Sequence, residues 1–208
     1  MNLDKLINNL GEEGAKKKLE NVAKTTIFAV IFLTIYLIIL LEIFGIRDDF
    51  FVIIKDFSFQ AELFLNVFLI IFAIFLVVNF RLPSLENREF LIYILLSLFI
   101  LFSSTVCFGC CEESDKICGA GYNCLIVIIL FSLVPMFFLM AILRLGILTN
   151  YLVCVLAIGL ASGSFAYLAE RLVNVTQDRF HLIIWHFSPI FLVVLISSIL
   201  VKKLIKKL

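Results

Sequence analysis

The sequence predicts an all-α polytopic membrane protein, a bundle of six transmembrane helices with cytoplasmic N- and C-termini. Three observations lead there. Of the 208 residues, 63% are hydrophobic and only 16% charged, a balance far from that of a soluble domain. The apolar residues gather in runs close to the roughly 20 residues that a helix needs to cross a hydrocarbon core about 30 Å thick. The runs are continuous rather than alternating, which argues against strands, because backbone groups in lipid must be satisfied within their own segment.

Residues 1–25 are expected to form a cytoplasmic segment. Leu3, Leu6, Ile7 and Leu10 fall at i, i+3, i+4 and i+7, one apolar face of a short helix that Gly11 is expected to stop, with GEEGAKKK as a hinge. Such a face suits either lipid headgroups or the groove of a soluble partner. The first span, Thr26–Ile46, opens a transmembrane domain over residues 26–200. No small-residue cleavage site follows it, so it is expected to be permanent. Phe50, Phe51, Val52, Ile53 and Ile54 then group between charges as a short interfacial helix. The second span is Ala61–Phe80, with Glu62 too near its end to count as a buried mid-membrane charge. A connector with the breaker Pro83 leads to the third and shortest span, Phe90–Val106. The fourth, Cys124–Leu143, carries Pro135, which removes a backbone donor and is expected to kink it. The fifth, Tyr151–Ala169, carries Gly159 and Gly163 in the GxxxG spacing that lets helices approach closely, within the bundle or between protomers. The sixth is His181–Leu200, where His181 and His186 flank Trp185 near the interface and read as structural. Residues 201–208 are a basic cytoplasmic tail.

Orientation follows from Lys and Arg, which resist translocation. Twelve of the 17 fall before the first span, after the second and fourth, or at the C-terminus. The other five, Arg47, Lys55, Lys116, Arg171 and Arg179, share the opposite side with seven acidic residues. Both termini are therefore expected in the cytoplasm and the loop CFGCCEESDKICGAGYNC faces outward.

That loop concentrates the chemistry. It holds Cys107, Cys110, Cys111, Cys118 and Cys124, five of the six cysteines. Outside the cytoplasm disulfides rank first. Redox or metal sensing by switching thiols ranks second, and a permanent soft-metal site third. No resident cofactor is expected beyond a transient metal ion there. Cys154, deep in the fifth span, reads as a small packing residue. Glu170, Asp178, His181 and His186 have no recognisable nucleophile spacing, and there is no phosphate loop, HExxH motif or nucleic-acid surface. An enzyme and direct nucleic-acid binding are therefore not expected.

Cys124 opening a span, Pro135 within it, Arg144, Leu145 and Gly146 after it, the small-residue run Gly159 to Ala166 with Tyr167, and Trp185 beyond a short polar loop resemble the NrsF-like family of membrane anti-sigma factors. The N-terminal pattern Leu3–Leu10 and the Arg47, Asp48, Asp49 turn agree with it. The resemblance implies a six-span protein of the bacterial inner membrane whose N-terminal segment, through Leu3, Leu6, Ile7 and Leu10, holds an extracytoplasmic-function sigma factor inactive. It also implies release on metal or oxidative stress sensed by a pair of outer cysteines. Cys124 matches the first of that pair. The second falls near Asn174, where this sequence has no cysteine, and the nearby cluster Cys107–Cys118 is a candidate substitute by proximity alone. The reading from another class is a small permease or metal-handling transport protein, for which His181, His186 or Glu170, rather than residues 1–10, would be essential.

Overall fold

A computed structural model describes residues 3–79, 99, 121–144, 151–175 and 181–205, and the side chains of 21–79, 99, 121–144, 151–175 and 181–203. Helices α1 (Leu3–Phe44), α2 (Phe50–Ile53), α3 (Phe57–Asn79), α4 (Gly121–Arg144) and α5 (Tyr151–Val173) are followed by a π-helical segment, Leu182–Phe187, that runs into α6 (Ser188–Ile205). There is no strand among the described residues. Among the described residues, five helical stretches are long and apolar enough to cross a membrane: Asn21–Phe44, Phe57–Asn79, Gly121–Arg144, Tyr151–Val173 and Leu182–Lys203. They coincide with five of the six expected spans. The remaining one, Phe90–Val106, lies outside the described residues apart from Phe99, which is helical and exposed.

The centre of the bundle is α5. Of its most apolar stretch 89% is buried inside the protein, against 17% of the corresponding stretch of α1. The cause is side-chain size. Gly159, Ala161, Ser162, Gly163, Ser164 and Ala166 leave the helix thin enough for neighbours to close on it from several sides, and α3, α4 and α6 all pack against it. A Cβ added at Gly159 would meet the Cα of Val194 at 2.6 Å, and one at Gly163 the Cγ2 of Ile190 at 2.9 Å. The GxxxG pair therefore serves a contact inside the chain, between α5 and α6. Ser197 Oγ fastens it by donating to the Val155 carbonyl at 3.1 Å, and Asn66 Nδ2 ties α3 to α5 by donating to the Ser164 carbonyl at 3.2 Å.

Helix α1 is peripheral. Its outer face, including Ile27, Phe28, Ile31, Ile35, Ile38 and Ile39, is exposed, while aromatic pairs attach its inner face. Phe32 stacks on Phe138 of α4 at 3.9 Å and Tyr36 on Phe165 of α5 at 5.5 Å. Gly45, at φ 82°, ends the helix, and its N–H bonds the Leu41 carbonyl at 2.9 Å, a left-handed cap that a residue with a Cβ adopts only with strain.

One N-terminal expectation is corrected. Gly11 does not stop a short helix, because the backbone is helical without a break from Leu3 to Phe44. A glycine inside a helix costs only about 1 kcal/mol relative to alanine, and Leu, Glu, Ala and Lys around Gly11 and Gly14 are good helix formers. The segment bearing Leu3, Leu6, Ile7 and Leu10 is thus continuous with the first apolar stretch, and no hinge separates the two. In α4, the helix likewise continues through the buried Pro135.

Candidate functional site: a buried thiol, imidazole and ion-pair cluster

One end of the bundle gathers the C-terminus of α1, the N-termini of α3 and α4, the C-terminus of α5 and the π-helical segment. Its polar side chains are buried in two connected groups.

The first is ionic. Glu62, in the second turn of α3, and Arg171, in the last turn of α5, are 5% and 3% exposed. Arg171 donates from Nε to Glu62 Oε1 at 2.8 Å and from Nη2 to Oε2 at 2.9 Å, the bidentate arrangement that a planar guanidinium favours. Tyr167, one turn earlier in α5, donates its hydroxyl to the same Oε1. The sequence reads Glu62 as an unremarkable residue at a helix end. It is instead a buried charge, because the helix begins at Phe57, four residues before the expected start of the span, and so carries Glu62 into the bundle. Arg47 adds a second pair, with Nε and Nη2 on the two carboxylate oxygens of Asp49 at 2.6 and 2.8 Å. Its backbone N–H donates to the Leu172 carbonyl at 3.0 Å and its Nη2 to the Val175 carbonyl at 3.0 Å, satisfying acceptors that the end of α5 leaves open. The Phe59 ring takes the Arg47 and Arg171 guanidinium groups at 5.7 and 5.2 Å.

The second group is a thiol with two imidazoles. Cys124, in the first turn of α4, has its Sγ 3.6 Å from His181 Nε2. Asn174 Nδ2 donates to that sulfur at 3.2 Å and to Glu170 Oε1 at 3.1 Å. His186 is fully buried, its ring 5.3 Å from that of His181, and neither of its nitrogens has a hydrogen-bond partner. One ligand atom from each of Cys124, His181 and His186 lies within 4.8 Å of the others. Tyr167 connects the groups, with its hydroxyl on Glu62 and its ring edge-on to His186 at 6.3 Å.

The sequence causes of this convergence are local. Pro189 has no N–H to give the Trp185 carbonyl, and its ring crowds that carbonyl. The turn ahead of it widens: the Ser188 N–H reaches back five residues to the Ile183 carbonyl, and Ser188 Oγ takes the Ile184 carbonyl. At 3.6 residues per turn, positions five apart stand about 140° apart around an α-helix. Pairing of i with i+5 brings them to one face, and so His181 and His186 both look into the bundle. Gly121 completes the fit, because a Cβ there would lie inside the Trp185 indole, so its absence lets the π-helical segment settle against the start of α4.

Of the cysteines singled out in the sequence, Cys124 is in the site, while Cys107, Cys110, Cys111 and Cys118 lie outside the described residues. Cys154 is buried packing in α5, as expected. His181 and His186 are both buried, His181 against the Cys124 sulfur and His186 beside the His181 ring. Asn174, near which the resemblance places a second cysteine that this chain lacks, touches the Cys124 sulfur directly. The signal in the sequence is two histidines five residues apart just before a Ser-Pro step.

No curated protein and no solved structure matches the chain. The sequence model of the NrsF family, described as negative regulator of sigma F, matches residues 14–206, nearly the whole length. The chain belongs to the NrsF family, the negative regulators of sigma F.

Proposed function

We propose that this protein is a membrane anti-sigma factor that holds an extracytoplasmic-function sigma factor inactive through its N-terminal segment and releases it when the thiol at the opposite end of the bundle changes state under metal or oxidative stress. The match to the family over residues 14–206 carries the reading. In this reading the bundle crosses a bacterial inner membrane six times, with both termini in the cytoplasm and the Cys124 end outside.

The unbroken α1 supports the coupling. Residues 3–20 extend the helix by about 27 Å at 1.5 Å per residue beyond the first apolar stretch, so a tilt or rotation of that stretch is delivered to Leu3, Leu6, Ile7 and Leu10 without loss at a hinge. The other end of α1 leads through Gly45 into Arg47, which is bonded to the end of α5 beside Glu170 and Asn174. A change of ligation or oxidation at Cys124 therefore has a packed route to the docking segment, and release requires two bundle arrangements that the thiol states favour differently.

A transcriptional reporter for the cognate sigma factor tests the reading. Deleting the gene, or replacing residues 1–10 with a Gly/Ser stretch, is expected to raise reporter output to the same level. Unchanged output after deletion would refute it, and loss of function through His181 or Glu170 with residues 1–10 dispensable would favour transport.

A further inference from the structure

The geometry points to a metal site formed by Cys124, His181 and His186, with the Glu170 carboxyl, bridged to the thiol through Asn174, beside it to balance charge, that takes a borderline-to-soft divalent cation of the zinc and cadmium type. That such binding is the releasing signal rests on the anti-sigma reading; the site itself does not.

Four observations converge. Tetrahedral zinc, with bonds of about 2.3 Å to sulfur and 2.0–2.1 Å to nitrogen, sets sulfur and nitrogen donors about 3.5 Å apart. Cys124 Sγ and His181 Nε2 already stand 3.6 Å apart, and the remaining separations, at most 4.8 Å, close by side-chain shifts of about an ångström. His186 is 0% exposed and both of its ring nitrogens lack a partner. Buried polar atoms are ordinarily satisfied, and one coordination bond would satisfy one of these. The third observation is electrostatic. Among the described residues, the cationic side chains nearby are already matched, Arg171 by Glu62 and Arg47 by Asp49, and no cation is paired with the buried carboxyl of Glu170. A thiolate and a carboxylate together neutralise a divalent ion, and two imidazoles add ligands without charge, so the assembled site is electrically neutral where a net charge would be costly. The fourth is the π-helical turn, which places both histidines on one face.

Asn174 acts as the outer support. By donating one amide to both Cys124 Sγ and Glu170 Oε1, it sets the sulfur and the carboxylate side by side. Binding displaces the thiol proton, which leaves to solvent as the metal–sulfur bond forms. One thiol and two imidazoles suit zinc and cadmium better than calcium or magnesium, which seek oxygen.

The test uses the full chain in detergent with Cys107, Cys110, Cys111 and Cys118 changed to Ser, so that metal taken up by the loop does not mask the site. Titration with cobalt(II) is expected to give a thiolate-to-metal charge-transfer band and tetrahedral visible bands at one equivalent, both removed by one equivalent of zinc. Cys124→Ala is expected to abolish the charge-transfer band. His186→Phe, which keeps the buried ring volume, is expected to weaken binding at least tenfold while the protein elutes as the parent does. Absence of the bands in the four-serine protein, or bands unchanged by Cys124→Ala, would overturn the site. Because sigma-factor capture by the same preparation is measured separately, bound cobalt without capture would remove the anti-sigma reading and leave the site standing, and capture without cobalt the reverse.

Discussion

Replacing Glu62 with Leu should be among the most damaging single changes in the protein, and replacing Arg171 with Met at the same time should undo most of the damage. In the native bundle the Arg171 guanidinium is enclosed, and two charge-assisted hydrogen bonds of 2.8 and 2.9 Å hold it to Glu62. Losing one partner of a buried pair leaves the other charge uncompensated and costs about 3–5 kcal/mol. Apolar replacement of both removes the charges together and leaves mainly the lost carboxylate acceptor of Tyr167, about 1 kcal/mol. For a chain of this size each kcal/mol corresponds to about 2–4 °C in Tm, so either single variant should melt about 6–20 °C below the parent in the same detergent, with the double variant well above both. Thermal unfolding followed by tryptophan fluorescence suits the assay, since Trp185 is the single tryptophan and lies at this end of the bundle. Additive losses in the double variant would refute the reasoning, because they would mean that the two side chains contribute independently.

Two further outcomes follow from close contacts. Gly159→Leu forces a side chain against the Val194 backbone, which cannot rotate away, and should cost about 1–3 kcal/mol, read as a lower Tm, while the same substitution at Gly45, with open space around it, acts only through φ. Pro189→Ala restores a donor for the Trp185 carbonyl, should convert the π-helical segment to α-helix, and is expected to weaken cobalt binding at least tenfold without lowering Tm by more than a few degrees; unchanged binding would show that the wide turn does not place His186.

The apolar elements are readable in the sequence because each is announced within its own stretch. The length of a hydrophobic run is a local property, and so is the small-residue spacing of Gly159 and Gly163; only its partner, α6, needs the structure. The polar cluster is not readable in the same way. Cys124, Glu170 and His186 are far apart in sequence, and their meeting depends on one turn widened by Pro189 and one side chain missing at Gly121. Glu62 escapes a sequence reading for a similar reason: a few residues at a helix start decide whether a carboxylate points to solvent or to Arg171. Gly11 misleads as a breaker, since one unfavourable residue stands against many favourable ones.

Direct binding between the full-length protein in lipid nanodiscs and its purified cognate sigma factor tests the central claim. Two apolar side chains buried at an interface contribute roughly 3–6 kcal/mol by area. The account predicts specific binding by the wild-type chain and a loss of at least a hundredfold when Leu6 and Ile7 are both changed to Asp. Binding that is absent in the wild type, or unaffected by the double change, would contradict it.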